Sequence, residues 1–310
     1  MGIGQDAARE ALIPYYCNFL SDAESEVRTA AVARLADLSK ILDADSIVKR
    51  IIPSLKKLQQ DTFQYVRAAL SENLLSVCPI IGKPATNEHI LPIFLALLRD
   101  DNADVRLNLF KRLESLNQVI GIENLSQSII PALTELSQDK NWRIKMSVVE
   151  QFPTLAKQLG EAFFNEKLAP ITVGWLSDSI FSIRDTALKT IKNLTEIFGA
   201  NWAAKNVLPK LLSLKLDSNY LYRLTPLFGI SILTSVMPPD VINKMFVPVL
   251  LDLSQDKVAN VRLNVAKAAK SMAAYTKGSD DKIKTVLKQL STDADFDVQF
   301  YSRQALDSFK

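Results

Sequence analysis

The chain has 310 residues, 48% of them hydrophobic and 23% charged, which is typical of a globular protein and excludes a disordered or low-complexity chain. The net charge of +3, from 37 basic and 34 acidic residues, does not indicate the concentrated basic face expected of a nucleic-acid-binding protein. No apolar run approaches the roughly 18 residues that a membrane-spanning helix needs, so we predict neither a nucleic acid nor a membrane as a partner.

A period of 39 residues runs along the chain and is visible in three series of residues. The first series consists of prolines that follow mostly apolar pairs: Pro14, Pro53, Pro92, Pro131, Pro170, Pro209 and Pro248. The second, eight residues later, consists of Asp22, Asp61, Asp100, Asp139, Asp178, Asp217, Asp256 and, after a shorter last step, Asp293. The third, six residues later again, consists of Arg28, Arg67, Arg106, Lys145, Arg184, Arg223, Arg262 and Gln299. These series predict eight repeats within a single domain, 1–310, with approximate boundaries 8–45, 46–84, 85–123, 124–162, 163–201, 202–240, 241–278 and 279–310.

Each repeat is predicted to contain two antiparallel helices, which we call helix A and helix B. In the second repeat, Ser46 is predicted to cap helix A and Pro53 to kink it. Helix B is expected to begin near Val66. Glycines mark many of the loops between repeats: Gly82, Gly121, Gly160, Gly199 and Gly278. Because a two-helix unit cannot bury its apolar face alone, we predict an all-α fold without strands, a right-handed α-α superhelical solenoid of eight repeats.

The repeated aspartates and arginines are predicted to have a structural role. They can form ion pairs within a turn and between neighbouring turns, and so set the register of the stacked repeats. An exposed ion pair contributes little individually. This predicted ladder includes Asp61, Arg67, Asp100, Arg106, Asp178, Arg184, Asp256 and Arg262.

The turn between helix A and helix B carries aromatic residues in the later repeats. The third residue after each aspartate of the series is, in order, Ser25, Gln64, Ala103, Trp142, Phe181, Tyr220, Ala259 and Phe296. A tight turn at the surface is normally polar, and aromatic residues and arginine are common in interface hot spots. We therefore predict a protein-binding ridge formed by these turns in repeats four to eight. The alternative is that individual rings, Phe181 above all, tuck between adjacent turns.

The sequence contains no catalytic or cofactor-binding motif. It lacks P-loop, dinucleotide-binding, HExxH and GxSxG patterns, and it has a single histidine. The segment 293–297 resembles the start of a calcium loop, but Val298 stands where glycine is needed and Gln304 where glutamate is needed. Cys17 and Cys78 indicate neither a disulfide framework nor a zinc site and fit a reducing compartment. We predict no enzymatic activity, no cofactor, no metal and an intracellular location.

The repeats resemble a known family. The proline and the Asp-x5-Arg/Lys pattern, on a 39-residue period, are similar to HEAT repeats. Longer motifs resemble the C-terminal half of the scaffolding (A) subunit of protein phosphatase 2A: NWRI at 141–144, SNYLYR at 218–223 and VANVRLNVAK at 258–267. The similarity covers essentially the whole chain, which would correspond to repeats eight to fifteen of that scaffold.

The resemblance implies a protein without activity of its own that helps to assemble a phosphatase. In that family, the turns of the last five repeats bind the catalytic subunit and earlier repeats bind interchangeable regulatory B subunits. The chain would then bind the catalytic subunit through repeats four to eight, and much of the regulatory-subunit surface would be missing. The residues expected to contact the partner are Trp142, Arg143, Phe181, Arg184, Tyr220, Leu221, Val258, Asn260 and Phe296. The expected location is the cytoplasm, and also the nucleus.

Two other functions are compatible with the repeat pattern. One is another HEAT-repeat adaptor, of the transport-receptor or assembly-factor type, whose contacts would lie on the concave face formed by the B helices. The other is an enzyme or nucleic-acid binder on a similar solenoid, such as a DNA glycosylase with a basic cleft. The low net charge and the lack of a visible basic face disfavour this second alternative.

Overall fold

The computed structural model describes residues 5–276 and 280–309, with side chains from residue 11 onward. Every regular element within these ranges is helical, which confirms the predicted all-α fold. The chain divides into two units, one ending at Ser147 and the other beginning at Val148. The repeat boundaries given above remain predictions, and Gly278, expected to mark a loop, lies outside the described residues.

The first unit is built from short helices that follow one another closely. Its α-helices are Gln5–Phe19, Ser25–Ala33, Leu35–Ser39, Ala44–Ser46, Ile52–Leu58, Gln64–Asn73, Cys78–Ala85, Leu91–Leu98, Ala103–Lys111, Leu113–Ile120, Ile122–Leu136 and Trp142–Val149, the last of which contains the boundary between the units. Ile47–Ile51 and Thr86–Ile90 form π-helical turns, and Leu74–Val77 forms a 3₁₀ turn. The B helices of the first three repeats pack side by side in chain order: Ser25–Ala33, Gln64–Asn73 and Ala103–Lys111.

The second unit follows the same plan with longer B helices. Its α-helices are Phe152–Leu159, Glu161–Lys167, Ala169–Gly174, Phe181–Phe198, Ala200–Asn206, Leu208–Ser213, Tyr220–Leu233, Pro239–Val241, Val247–Leu253, Ala259–Met272, Asp280–Leu290 and Phe296–Asp307. Trp175–Ser177, Leu214–Leu216 and Thr234–Val236 form 3₁₀ turns, and Ile242–Phe246 forms a π-helical turn. Four B helices pack side by side in chain order: Phe181–Phe198, Tyr220–Leu233, Ala259–Met272 and Phe296–Asp307.

The periodic prolines interrupt helix A in different ways. A proline has no N–H to donate, so the carbonyl four residues earlier loses its helical hydrogen bond. Before Pro53 the chain widens into the π-helical turn Ile47–Ile51, and a new α-helix begins at Ile52. At Pro131, by contrast, the helix Ile122–Leu136 continues through the proline. The expected kink at Pro53 therefore takes the form of a change in helix type.

The start of helix A in the second repeat differs from the sequence prediction. The N-cap is Asp43, whose Oδ1 accepts a hydrogen bond of 2.8 Å from the Ser46 N–H, so the prediction that Ser46 is the cap is wrong. Aspartate is as good an N-cap as serine, and only the local conformation decides between two neighbouring candidates. Helix B of the same repeat begins at Gln64, slightly before the predicted start near Val66.

Glycine is required at the loops between several repeats. Gly82, Gly121, Gly160 and Gly199 have φ angles of +74°, +81°, +78° and +93°. With ψ near 160°, as at Gly199, this backbone conformation is essentially restricted to glycine. These four positions explain why glycine recurs with the period of the repeat.

The core of the first unit is formed by apolar residues at helical spacing. On helix B of the second repeat and the 3₁₀ turn that follows it, Val66, Leu70 and Leu74 form a stripe that is fully buried. Phe94 of helix A and Leu109 of the next helix B are buried as well. Each such side chain contributes roughly 1.5–3 kcal/mol through its removal from water.

Aromatic rings form a large part of the core of the second unit. Phe152 lies 4.6 Å from Trp175 between ring centroids, and Trp202 lies 5.1 Å from Phe198 and 6.1 Å from Phe164. Such pairs contribute about 0.5–1.5 kcal/mol beyond their buried area. This cluster packs rings of the fifth repeat against Phe152 and Trp202 of the neighbouring repeats.

Candidate functional site

The turn between helix A and helix B is held by the periodic aspartate. In all eight repeats the Oδ1 atom of this aspartate accepts a hydrogen bond of 2.7–2.9 Å from the backbone N–H two residues later. This arrangement is an Asx-turn, in which the side chain replaces a backbone acceptor and reverses the chain. The main role of the periodic aspartate is therefore to form the turn.

The periodic arginine closes the same turn from the other side. Arg67 Nη1 donates to the backbone carbonyl of Asp61 at 2.7 Å, and Arg223 Nη1 donates to that of Asp217 at 2.9 Å. In the last repeat, Gln299 Nε2 makes the equivalent bond at 2.7 Å. The bond within a turn thus goes to a carbonyl oxygen, whereas the sequence had suggested an ion pair there.

Ion pairs instead join the arginine of one repeat to the aspartate of the next. Arg67 donates from Nε to Asp100 Oδ2 at 2.5 Å and from Nη2 to Asp100 Oδ1 at 3.0 Å. The same two-bond geometry joins Arg28 to Asp61, Arg223 to Asp256 and Arg262 to Asp293. The side chains of these pairs are at most 18% exposed, so solvent screens them less than it screens a surface pair.

Two predicted members of the ladder do not form such a pair. Among the described residues, Arg106 makes no ion pair with Asp139, and Arg184 makes none with Asp217. Both arginines are buried, and the Nε atom of each lacks a hydrogen-bond acceptor. Burial lowers the pKa of both guanidinium groups. The ladder is therefore interrupted once within each unit.

The paired aspartates are more acidic than free ones. At Asp293 the hydrogen bond from Arg262 outweighs burial and lowers the pKa of the carboxyl group. At Asp256 burial opposes ionisation, but the hydrogen bonds from Arg223 and from the Val258 N–H outweigh it, so its pKa is also lowered. These carboxylates stay ionised well into the acidic range.

In the first unit, the predicted ridge is represented by the turn of the fourth repeat. Trp142 is half-buried and Arg143 is exposed, with the Arg143 guanidinium 4.6 Å from the centroid of the Trp142 ring. This distance is within the range of a cation–π contact. The pair presents a flat apolar surface beside a positive charge.

In the second unit, aromatic and apolar side chains are exposed along the turns of successive repeats. Phe181 is 53% exposed and Phe296 is 84% exposed, and Tyr220 and Leu221 are exposed to a smaller extent. One edge of Phe181 contacts Phe228, at 5.8 Å between centroids, so this ring is partly packed and partly free.

The other predicted contact residues of the second unit lie at the same turns. Val258 is half-buried and Asn260 is exposed. Arg184 belongs to the same surface but is almost completely buried behind the exposed rings.

The sequence prediction missed two exposed aromatic residues in the first unit. Phe63 and Tyr65 stand in the turn of the second repeat, and Arg28 lies 5.8 Å from the centroid of the Phe63 ring. They occupy the second and fourth positions after Asp61, whereas the prediction considered only the third. Exposed aromatic turns are therefore not confined to repeats four to eight.

Two family models match parts of the chain. Residues 5–82 match the PPP2R1A-like HEAT repeat, and residues 81–217 match the PIK3R4-like middle domain. No curated protein matches the chain.

Solved structures match it over nearly its whole length. A mutant of Kap121p aligns with 98% of this chain at 15% identity and a TM-score of 0.71. Kap121p bound to the extreme C-terminus of the protein phosphatase Cdc14p aligns with 97% at 13% identity and a TM-score of 0.66, and importin beta with 98% at 11% identity and a TM-score of 0.59. The chain has the HEAT-repeat fold. It covers only 34–42% of the length of these structures, and identities this low show the fold alone.

Beyond the turns, the HEAT-repeat chain has a cleft of mixed polar and apolar lining on the B-helix side of the first unit. Its volume is about 320 Å³, and Glu72, Asn73, Arg112 and Gln118 are among the residues that line it. The alternative adaptor function would place its contacts on the face formed by the B helices.

The described residues contain neither a cluster of metal-ligating side chains nor a membrane-spanning helix. No group of three or more His, Cys, Asp or Glu side chains is arranged there to hold a metal ion. In the calcium-like segment, Asp295 caps the helix Phe296–Asp307 by accepting from the N–H groups of Asp297 and Val298. Within the same ranges, no helix is both long and apolar enough to cross a bilayer.

Proposed function

We propose that the chain is a non-catalytic scaffold that binds the catalytic subunit of serine/threonine phosphatase 2A through the turns of repeats four to eight, and so helps to assemble the holoenzyme. The observation that carries this proposal is the exposure of aromatic side chains at turns that are otherwise built from polar residues. The match of residues 5–82 to the PPP2R1A-like HEAT repeat supports the choice of partner.

Exposed aromatic rings are well suited to a protein interface. An aromatic side chain buries a large area when it enters an interface and loses little conformational entropy. Ladder pairs hold the turns of repeats six to eight below their exposed rings, so little ordering has to occur there on binding. The exposed rings are therefore presented on a prearranged surface, which favours a protein partner over a small molecule.

The test is a titration of the purified chain with the phosphatase 2A catalytic subunit. The double variant Trp142→Ala/Arg143→Ala should weaken binding by at least about tenfold, since removal of a hot-spot aromatic and its arginine costs roughly 2–4 kcal/mol. The matched control is Phe63→Ala/Tyr65→Ala, which removes a comparably exposed pair from the turn of the second repeat. The control should bind like the parent.

Each outcome has a definite meaning. No binding by the parent would reject the partner. Equal binding by the parent and the Trp142→Ala/Arg143→Ala variant would keep the partner but reject the assigned surface. Weaker binding by the Phe63→Ala/Tyr65→Ala control would extend the surface to the second repeat.

The proposal includes several further expectations. The chain itself should have no phosphatase activity and need no cofactor. Regulatory B subunits should bind weakly, because much of the surface that they use in the resembling family would be absent. In cells, the chain should be found in the cytoplasm and also in the nucleus, together with the catalytic subunit.

A second candidate is an adaptor of the transport-receptor type. The fold similarity to importin beta and Kap121p, and the cleft on the B-helix side that Glu72 and Arg112 help to line, favour it. This function would place the partner on the B helices. A charge reversal at Arg112 would then abolish binding that Trp142→Ala/Arg143→Ala leaves unchanged.

A further inference from the structure

Two aromatic side chains are exposed at the turn of the second repeat, outside the surface assigned to the phosphatase. Phe63 is 50% exposed and Tyr65 is 69% exposed. Arg28 lies 5.8 Å from the centroid of the Phe63 ring. Among the described residues, no ring contacts Tyr65 and no group forms a hydrogen bond with its hydroxyl. Both rings are therefore available to a partner, and exposed aromatic residues of this kind are common in interface hot spots.

The turns of the first three repeats form one continuous surface around these rings. The ladder pair between Arg28 and Asp61 joins the first turn to the second. Between the second turn and the third, Asn102 Nδ2 donates to Gln64 Oε1 at 2.9 Å, in addition to the ladder pair described above. The positions of the rings relative to the neighbouring turns are therefore fixed before a partner binds, which lowers the entropic cost of binding.

Tyr65 stands between two carboxylates in this stack of turns. The fourth residue after the periodic aspartate is Glu26 in the first turn, Tyr65 in the second and Asp104 in the third, and all three are exposed. Glu24 and Asp101 add two further exposed carboxylates to the same surface. Within the part of the chain that the structure describes, none of these four carboxylates forms an ion pair. Their charge is therefore available to a partner as well.

The three turns together carry a net negative charge. Segments 22–28, 61–67 and 100–106 contain seven acidic residues and three arginines, a net charge of −4. The arginines are largely buried, so the exposed charges of these segments are all carboxylates. The equivalent segment of the fourth repeat, 139–145, contains three basic residues and one acidic residue, a net charge of +2. The charge of the turns thus changes sign between the third repeat and the fourth, where the predicted phosphatase surface begins.

A polar depression of about 300 Å³ lies at the junction of the second and third turns. Gln60 and Asp101, both exposed, are among the residues that line it. Arg99 also lines it, but its guanidinium group is paired with Glu135 at 2.6 Å. The depression can therefore accept the cationic end of a long side chain, with Asp101 as its hydrogen-bond acceptor.

We propose that the turns of repeats one to three bind a lysine- and arginine-rich segment of a second protein partner, whose cations lie on Phe63 and Tyr65 and between the surrounding carboxylates. An aromatic ring and a carboxylate both attract a cation, so exposed rings among carboxylates select a basic segment. A nucleic acid or an anionic membrane is disfavoured, because its phosphates would be repelled. This inference goes beyond the proposed phosphatase scaffold and does not depend on it, since it concerns other turns.

The first experiment is a fluorescence-anisotropy titration of the full chain into a labelled peptide of three Lys-Leu-Arg units at physiological salt. Saturable binding is expected, and Phe63→Ala/Tyr65→Ala should weaken it at least about fivefold by removing two cation–π contacts. The matched control is Trp142→Ala/Arg143→Ala, which removes an aromatic residue from the basic turn of the fourth repeat and should not weaken binding. Circular dichroism shows that both variants are folded. No saturable binding by the parent, or equal losses in the two variants, would overturn the inference.

A second pair of variants tests the carboxylates. Glu26→Gln/Asp104→Asn removes two charges from positions equivalent to that of Tyr65, whereas Glu114→Gln/Glu123→Gln removes two exposed charges of the same unit outside the turns. The first variant should weaken peptide binding at least about threefold. The second should leave it unchanged, because salt screens charges more than about 8 Å apart. Equal effects would show that the peptide responds only to the net charge of the chain, which would overturn the assigned surface.

Two further measurements distinguish the proposed partner from other occupants of this surface. The peptide should bind equally well to the free chain and to the chain saturated with the phosphatase catalytic subunit. Displacement of the peptide by that subunit would overturn the inference of a separate partner. Self-association seen by light scattering and abolished by Trp142→Ala/Arg143→Ala would also overturn it, by assigning the surface to the basic turn of a second copy. The peptide titration itself does not involve the catalytic subunit, so a failure of the proposed function leaves its result intact.

Discussion

Arg223 and Asp256 belong to consecutive repeats and hold each other through two hydrogen bonds, of 2.6 Å from Nε and 2.9 Å from Nη2. Their side chains are 9% and 7% exposed. The same guanidinium group closes its own turn through Nη1, at 2.9 Å from the Asp217 carbonyl. One side chain therefore defines both the shape of a turn and its spacing from the next.

Removal of Asp256 should destabilise the second unit strongly. In Asp256→Asn the Arg223 charge stays buried but loses its counter-charge, and breaking a buried pair in this way costs about 3–5 kcal/mol. The free energy of unfolding, from urea titration followed by circular dichroism, measures the effect. The control is Asp185→Asn, which breaks the more exposed pair with Lys189 one helical turn away and should cost less than about 0.5 kcal/mol. Similar losses in both variants would contradict this account.

The stability of the chain should fall in acid through the ladder aspartates. The pKa values of Asp256 and Asp293 are lower in the folded state than in the unfolded chain. Their contribution is therefore complete above the unfolded pKa of about 3.9 and is lost as the pH falls through the lower folded values. Urea titrations at a series of pH values between neutral and strongly acidic should show this loss, and Asp256→Asn should show a shallower one. A pH dependence unchanged in Asp256→Asn would contradict the assignment.

Gly199→Ala should destabilise the chain although there is room for the methyl group. No atom lies within 4 Å of the position of the added Cβ, but φ is +93°. A non-glycine residue in this region costs about 1–3 kcal/mol. Gly174→Ala is the control, because Gly174 also has free space but is helical, with φ of −59°. Its free energy of unfolding should be unchanged or higher by up to about 1 kcal/mol, and a loss equal to that of Gly199→Ala would refute the backbone argument.

Two phenylalanines of the second unit should respond in opposite ways to alanine substitution. Phe164 is fully buried between Phe152, Phe198 and Trp202, so Phe164→Ala should cost about 3–5 kcal/mol of stability. Phe296 is 84% exposed, so Phe296→Ala should change stability by less than about 0.5 kcal/mol. The second variant should instead weaken partner binding in the titration. A large stability loss for Phe296→Ala would mean that the ring has a packing role.

The repeat period predicted the ladder because it fixes distances along the chain. Arg67 lies six residues after the aspartate of its own repeat, and Asp100 lies 39 residues after that aspartate, so the two are 33 residues apart. Every pair between repeats that keep the 39-residue spacing has this separation. The period also located the glycines with positive φ, which share one backbone requirement. These features depend on a local backbone geometry that recurs in each repeat.

The sequence did not predict where the ladder would be interrupted. The period gives Arg184 and Asp217, like Arg106 and Asp139, the same separation as Arg67 and Asp100, yet of these three only Arg67 and Asp100 form an ion pair. The exposure of Phe63 was missed for a similar reason, since a position in a turn does not determine which way a ring points. Both results depend on how the side chains of neighbouring repeats pack together. The residue pattern within one repeat does not specify this packing.

Every ladder pair runs in one direction, from an arginine to an aspartate later in the chain. Trimming the chain is therefore not symmetric in its effects. Removal of the last repeat would take Asp293 from Arg262 and leave the guanidinium group held in its own turn by the Asp256 carbonyl, with Nε and Nη2 released. Removal of the first repeat would take Arg28 from Asp61 and leave that carboxylate held in its own turn by the Phe63 N–H. A new end would therefore present a turn guanidinium, and a new beginning a turn carboxylate.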